Sequence, residues 1–337
     1  MGTFPYARED IDMLSHASTE HRGLGPGGTV GLSRVLVAMD FAPPSACALA
    51  RALQLPLQEG AEILLVHALP AKATLGGWRD EEEARARHTL EKAVHHTREE
   101  RAKGPGGVRG LLVRGTLGET LTHAARDFGA ELVVLGRPRR PGSLLARMRE
   151  RVAGGLIESL PTALLVVGLP PVCTYRRPLV AVDFTAASRH ALEATLRLCP
   201  GVSHVAVLHD YDASYELVLH QSAASTSRLL EYRREAKAQA RAELHRFLAP
   251  YRDAGIHFDE LVCSGEASAS ILEIAQEQHA DLVAVGRHIR SWLGQLVRPH
   301  VAQQVVRESI CDVLILEQEP AQAAEASPAT PLPGKVS

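Results

Sequence analysis

Short apolar runs recur along the chain and set its architecture. The clearest is Leu282, Val283, Ala284 and Val285, closed by Gly286; a near copy, Leu132 to Leu135, is closed by Gly136. Runs this short, with no polar alternation, predict strands buried on both faces, as in a parallel sheet covered by helices. The glycine after each run is read as the point where the chain turns sharply out of the sheet. That carboxyl edge is where open α/β sheets hold ligands.

The same pattern places the other elements. In the first half, Val35 to Met39 predicts a strand ending at Asp40. A helix opens at Pro43, Pro44 and Ser45, where proline is tolerated, and is expected to run until Gly60. Ile63 to Val66 form a second strand before His67. A polar helix over Asp80 to Lys103 follows, its acidic first turn suited to the helix dipole. Then come a strand at Leu111 to Val113 before Gly115, a helix from Glu119 to Asp127 and the strand before Gly136. A helix near Arg149 to Ser159 and a strand from Ala163 to Val167 complete the half. The second half repeats this order: Leu179 to Val182 before Asp183, a helix through Ala191, Leu192 and Leu196, and Val205 to Leu208 before His209. A charged helix (Thr226 to Tyr251), a short strand at Leu261 and Val262 before Gly265, and a helix (Ala269 to Gln278) lead to the strand before Gly286. A helix (Val301 to Glu308) and a strand (Val313 to Leu316) finish the chain's ordered part.

The landmarks are collinear. Asp40 and Asp183 lie 143 residues apart, while Gly115 and Gly265, and Gly136 and Gly286, each lie 150 apart. Strand–helix alternation of this kind specifies a parallel sheet with right-handed crossovers, and the period is far too long for a solenoid. The fold class is therefore α/β: two tandem open five-stranded parallel sheets with helices on both faces, Rossmann-like. Residues 1–32 read as a flexible leader, 33–168 as the first domain, 169–176 as a linker, 177–317 as the second domain, and 318–337 as a disordered tail. The halves are expected to pair along their fifth strands as an intramolecular pseudo-dimer, which would remove two exposed sheet edges and bring Val166 and Val167 close to Ile315 and Leu316. A homodimer of the whole chain stays open.

Composition narrows the function. Hydrophobic residues make up 45% of the 337 and charged residues 23%, enough for two cores, while a net charge of −2 gives no field favouring nucleic acid or anionic membrane. Five scattered cysteines without a CxxC spacing argue against a disulfide framework or a thiolate zinc site, and a cytoplasmic location is expected.

The segments LVAMDFAPPSACALA and LVAVDFTAASRHALEA resemble the opening of a universal stress protein domain. LLVHA, VRGTLGETL, ELVVLGR and PTALLVV continue the resemblance in the first half, and AVLHD, CSGEASASI, DLVAVGR and CDVLIL do so in the second. It covers nearly all of 33–168 and 177–317, and implies a tandem protein with an adenine-nucleotide α-hydrolase-like sheet.

In the nucleotide-binding branch that this resemblance implies, the fourth strand runs into Gly-x2-Gly-x9-Gly-Ser/Thr, a loop whose backbone N–H groups close on phosphate oxygens. Here Gly136 and Gly286 keep the first position. The second falls on Arg139 and Ile289, and the Gly-Ser pair on Glu150-Arg151 and Pro299-His300. No cofactor is therefore expected, with ATP or another adenine nucleotide as the alternative. Arginine side chains offer one compensation: Arg137, Arg139 and Arg140 follow the first glycine, and Arg287, His288, Arg290, Arg298 and His300 crowd the second loop. The other reading is a solvated basic loop, or ion pairs with the partner domain. By resemblance Asp40 and Asp183 lie near base and ribose; by chemistry they can equally cap the following helix.

The candidate ligand residues are Asp183, Gly265, Gly286, Arg287 and His300 in the second half, with Asp40 and Gly136 in the first. His67 and His209 either face the cleft or bond backbone carbonyls. His88, His95 and His96 share a face of the polar helix without any HExxH arrangement, so no metal is expected there. Cys263 reads as a buried hydrophobe, and no nucleophile elbow or Walker loop is present, so no catalytic residue is assigned. Two functions stand. One is a non-catalytic stress-response protein acting by association or small-ligand sensing. The other is a nucleotide- or anion-binding protein, with slow ATP hydrolysis in the second half.

Overall fold

The computed structural model describes residues 31–70, 79–101, 106–137, 155, 160, 162–211, 226–287 and 300–317. Residues 1–30 of the leader, the tail and nearly all of the helix expected at 149–159 lie outside these residues, while Leu32, counted with the leader, already opens the first strand. The first half runs β1 (Leu32–Ala38), α1 (Pro43–Gln54), β2 (Leu57–Leu69), α2 (Arg79–Glu100), β3 (Val108–Arg114), α3 (Leu117–Phe128), β4 (Leu132–Gly136) and β5 (Ala163–Val167). The second runs β6 (Pro178–Ala181), α4 (Ala186–Leu198), β7 (His204–Tyr211), α5 (Thr226–Leu248), β8 (His257–Ser264), α6 (Ala267–Glu277), β9 (Leu282–Arg287), α7 (His300–Glu308) and β10 (Asp312–Glu317).

The two five-stranded sheets are joined into one of ten strands, in the order β3-β2-β1-β4-β5-β10-β9-β6-β7-β8. Every neighbouring pair is parallel except β5 and β10, which meet antiparallel at the centre. Their register sets Leu165 against Leu314, Leu164 against Ile315 and Val166 against Val313. Matched through their neighbours β4 and β9, Leu165 and Leu314 are equivalent positions and face each other, while the equivalent residues Leu164 and Val313 lie opposite the equivalent pair Ile315 and Val166, the self-complementary contact of a two-fold axis. Val166 accordingly sits opposite Val313, not beside Ile315 or Leu316, because antiparallel strands carry their carboxyl ends past one another.

Alternate residues of the central strands feed opposite cores, since side chains on a strand alternate between faces. Val35, Val37, Val134, Leu165 and Leu314 pack with α1, α2, α4 and α5 through residues such as Ala48, Leu90, Leu192 and Leu244. Leu36, Val133, Leu164, Val283 and Val313 pack with α3, α6 and α7 through Leu121, Ala125, Ile271 and Val305. Fully buried strands explain why the apolar runs showed no alternation.

One boundary departs from the sequence pattern. The first helix stops at Gln54 rather than near Gly60, because Pro56 disfavours helical geometry in the residue before it. The strand β2 then starts at Leu57 and carries an irregularity: Leu32 pairs with Leu57 but Arg34 with Glu62. Gly60, at φ 80°, lies in that bulge. Among the described residues, no helix is long and apolar enough to cross a membrane.

Candidate functional site

Each half builds the same turn where its first strand leaves the sheet. Asp40 Oδ1 accepts from the Ala42 amide at 2.9 Å, and Asp183 Oδ1 accepts from the Thr185 amide at 3.2 Å and its hydroxyl at 2.6 Å. Between them, Phe41 and Phe184 take left-handed backbone at φ 57° and 64°. A bulky side chain rarely adopts that region, and such strain concentrates at functional turns. Each ring is held against a histidine: Phe41 and His67 lie 4.7 Å apart between centroids, Phe184 and His209 4.2 Å. The histidines donate from Nδ1 to the Met39 and Val182 carbonyls, at 2.7 and 2.8 Å. Both aspartates therefore close their own turns, and both histidines bond backbone carbonyls. The repeated Asp-Phe dipeptide was the sequence signal for this unit.

Gly136 and Gly286 do not turn the chain with a positive φ. They are needed because the end of the fourth strand presses on the first turn of a helix. A Cβ at Gly136 would overlap the Pro44 carbonyl and come within 2.9 Å of the Ser45 nitrogen. At Gly286 it would meet Ala187 C and Ser188 N at 2.8 Å.

The arginine after each glycine crosses the β5–β10 joint. Arg137 donates to the Val306 carbonyl at 3.0 Å and the Cys311 carbonyl at 3.2 Å, both in the second domain. Arg287 donates to the Leu160 carbonyl of the first domain at 3.0 Å and is 9% exposed. Burial lowers the Arg137 pKa, with Cys311 and Asp312 opposing that shift. Both guanidinium groups thus make contacts between the domains. Arg139, Arg140, His288, Arg290 and Arg298, with Glu150, Ile289 and Pro299, lie outside the described residues.

The remaining candidates are not gathered at one place. Asp183, His209 and Gly286 share the carboxyl edge of the neighbouring strands β6, β7 and β9. Gly265, at φ 157°, follows the edge strand β8, separated from β6 by β7. It adjoins a depression of about 330 Å³ lined by residues including Tyr211, Lys237, Cys263, Ser264, Ser270 and Glu273. Ser270 donates there to Asp210 at 2.6 Å. Lys237, Asp210 and Ser270 carried no sequence signal, since they come from separate elements. Burial raises the Cys263 thiol, and Asp210 raises it further, which disfavours the nucleophilic thiolate. His300 opens α7, on the crossover from β9 to β10. On α2, His95 faces Glu99 at 3.5 Å and His96 faces Glu100 at 3.3 Å, as exposed i, i+4 pairs.

The universal stress protein family model matches residues 31–168 and again 174–317. A universal stress protein from Archaeoglobus fulgidus is similar in structure, with a TM-score of 0.62 at 16% identity, over 84% of this chain and 96% of that one. A putative universal stress protein from Pseudomonas aeruginosa gives a TM-score of 0.48 at 15% identity, over 86% and 94%. An Arabidopsis thaliana family protein with AMP bound gives 0.30 at 18% identity, over 45% and 97%. A comparison with curated proteins found no match. With the family pattern met twice in order, on two copies of the same sheet, the chain belongs to the universal stress protein family as a tandem of two domains.

Proposed function

We propose that the chain is a non-catalytic stress-response protein that works by association as a fixed two-domain body rather than by turning over ATP. The observation that carries this reading is the crossing of Arg137 and Arg287. In each half the first cation after the strand-four glycine is committed to carbonyls of the opposite domain. The family fold implies an adenine nucleotide, and the described residues fit one poorly. Asp40 and Asp183 each use Oδ1 on their own turn. The sequence beyond each glycine has also lost the other three positions of the phosphate loop. The alternative of an anion held in the second half by Arg287 is not favoured, because that guanidinium points across the joint.

Calorimetric titration of the full chain with ATP and AMP tests this. The expected result is no binding tighter than ~100 μM, equivalent to roughly −5.5 kcal/mol. Tighter binding, or a nucleotide that co-purifies in equal amount with the protein, overturns it.

A further inference from the structure

At the end of the sheet away from the ligand edge, two strands of the second domain begin with histidine. The parallel register of β7 and β8 sets His204 directly against His257, and their ring centroids are 5.1 Å apart. Asp259 lies two residues further along β8, hence on the same face as His257. Its Oδ1 is 3.2 Å from His257 Nε2. One donor atom from each of the three lies within 4.8 Å of the others.

We propose that His204, His257 and Asp259 form a surface site for a late first-row divalent ion, zinc before others. Two imidazoles with one carboxylate favour zinc, copper or nickel over magnesium or calcium, which prefer all-oxygen sites. Donors at the usual ~2.0–2.1 Å from tetrahedral zinc lie ~3.3 Å apart, and the His257–Asp259 separation already matches that. Rotation of His204, on a rim open to water, closes the third position. Side-chain exposures of 65% for His257 and 45% for Asp259 leave room for a fourth ligand from solvent or from another chain.

The duplicated domain supplies the contrast. Ile63 pairs with Val108 in the first half as Val205 pairs with Phe258 in the second. The positions matching His204, His257 and Asp259 are therefore Glu62, Gly107 and Arg109. There Arg109 neutralises Glu62 directly, at 3.1 Å. In the second half that ion pair has been replaced by two imidazoles and a carboxylate, a donor set without a fixed cation.

The test is zinc titration of chelator-stripped full-length protein by calorimetry, with cobalt absorption as a second readout of imidazole ligation. The wild type should show one site per chain tighter than the background of its other histidines. His204→Ala and His257→Ala should each weaken it at least ~10-fold, because each removes a deprotonated donor that the metal needs. Asp259→Asn, which keeps the side-chain shape, should weaken it in the same sense, while His95→Ala leaves it unchanged. A wild type with no site tighter than ~100 μM overturns the proposal. So does unchanged zinc affinity in His204→Ala or Asp259→Asn.

Discussion

Arg51 and Asp312 meet at 2.8 Å across the domain boundary, 261 residues apart in sequence and almost sealed from water at 7% and 2% exposure. Arg51 comes from α1 of the first domain and Asp312 opens β10 of the second. The carboxylate also accepts from Tyr175 at 2.7 Å and from the Gly168 amide at 2.9 Å. The guanidinium lies 4.2 Å from the Tyr175 ring centroid and donates to the Cys173 carbonyl at 2.8 Å. Strand, helix and linker are thus tied by one buried network. Removing one member leaves a charge buried without its counter-ion, which costs about 3–5 kcal/mol. Arg51→Ala and Asp312→Ala should each lower the unfolding free energy obtained from urea titration by that much. A joint replacement with well-packed apolar residues should lower it less.

Alkaline pH should loosen the same network. Burial pushes the Tyr175 hydroxyl well above its ordinary 10.0, and the Asp312 charge pushes it further. Folded Tyr175 therefore holds its proton more tightly than the unfolded chain does. That stabilisation is complete below the unfolded value and drains away as pH rises through 10 towards the folded one. The Cys311 thiol, raised from 9.0 chiefly by burial, acts in the same direction. Urea midpoints measured between pH 8 and pH 11 should fall, and Tyr175→Phe should fall less steeply. At pH 8 that variant should be the weaker by about 1 kcal/mol for the lost hydrogen bond. Parallel curves for the two proteins would exclude this role for Tyr175.

Glycine substitutions should separate close packing from flexibility. Gly136→Ala drives a methyl into the Pro44 carbonyl and should cost ~1–3 kcal/mol or more, as overpacking does. Gly286→Ala, whose nearest atoms stand at 2.8 Å, should cost less than Gly136→Ala. At Gly118, in the first turn of α3, a Cβ would meet nothing within 4 Å. Gly118→Ala should therefore stabilise by ~0.4–1 kcal/mol. Thermal unfolding of the three variants reads both sign and order.

The fold was legible because its strands are buried on both faces and repeat in order. What escaped the sequence were features that polarity or direction hides. The start of β8, His257 to Glu260, carries Phe258 as its one apolar residue and lies at the sheet edge, so only Leu261 and Val262 stood out as a strand. The pairing of His204 with His257, 53 residues away in sequence, vanished with it. Pro56, not the later Gly60, stops the first helix, and both residues carry a stop signal in the sequence. Arg137 directly follows β4 and Arg287 ends β9, but a charge in a sequence carries no direction. The antiparallel joint of β5 with β10 determines where they reach. For Asp40 and Asp183 the sequence offers a helix cap or a ligand contact, and in the structure each accepts from the amide two residues on.

The crossing arginines give the sharpest separation between a structural and a ligand-binding role. Arg137 forks onto the Val306 carbonyl in the last turn of α7, where the helix dipole favours a cation, and onto the Cys311 carbonyl just before β10. Arg137→Ala leaves those buried carbonyls without their donor and should cost ~1–3 kcal/mol. Arg137→Lys should recover only part of that, because an ammonium cannot reproduce the planar fork. Arg287→Ala should likewise lower stability, through the Leu160 carbonyl, while leaving titrations with ATP or AMP as they were. The pair of measurements is the decisive point. If Arg287→Ala melts like the wild type yet abolishes binding of an anion found in a thermal-shift screen, the side chain serves a ligand. Lost stability with an unchanged ligand screen places it in the joint between domains.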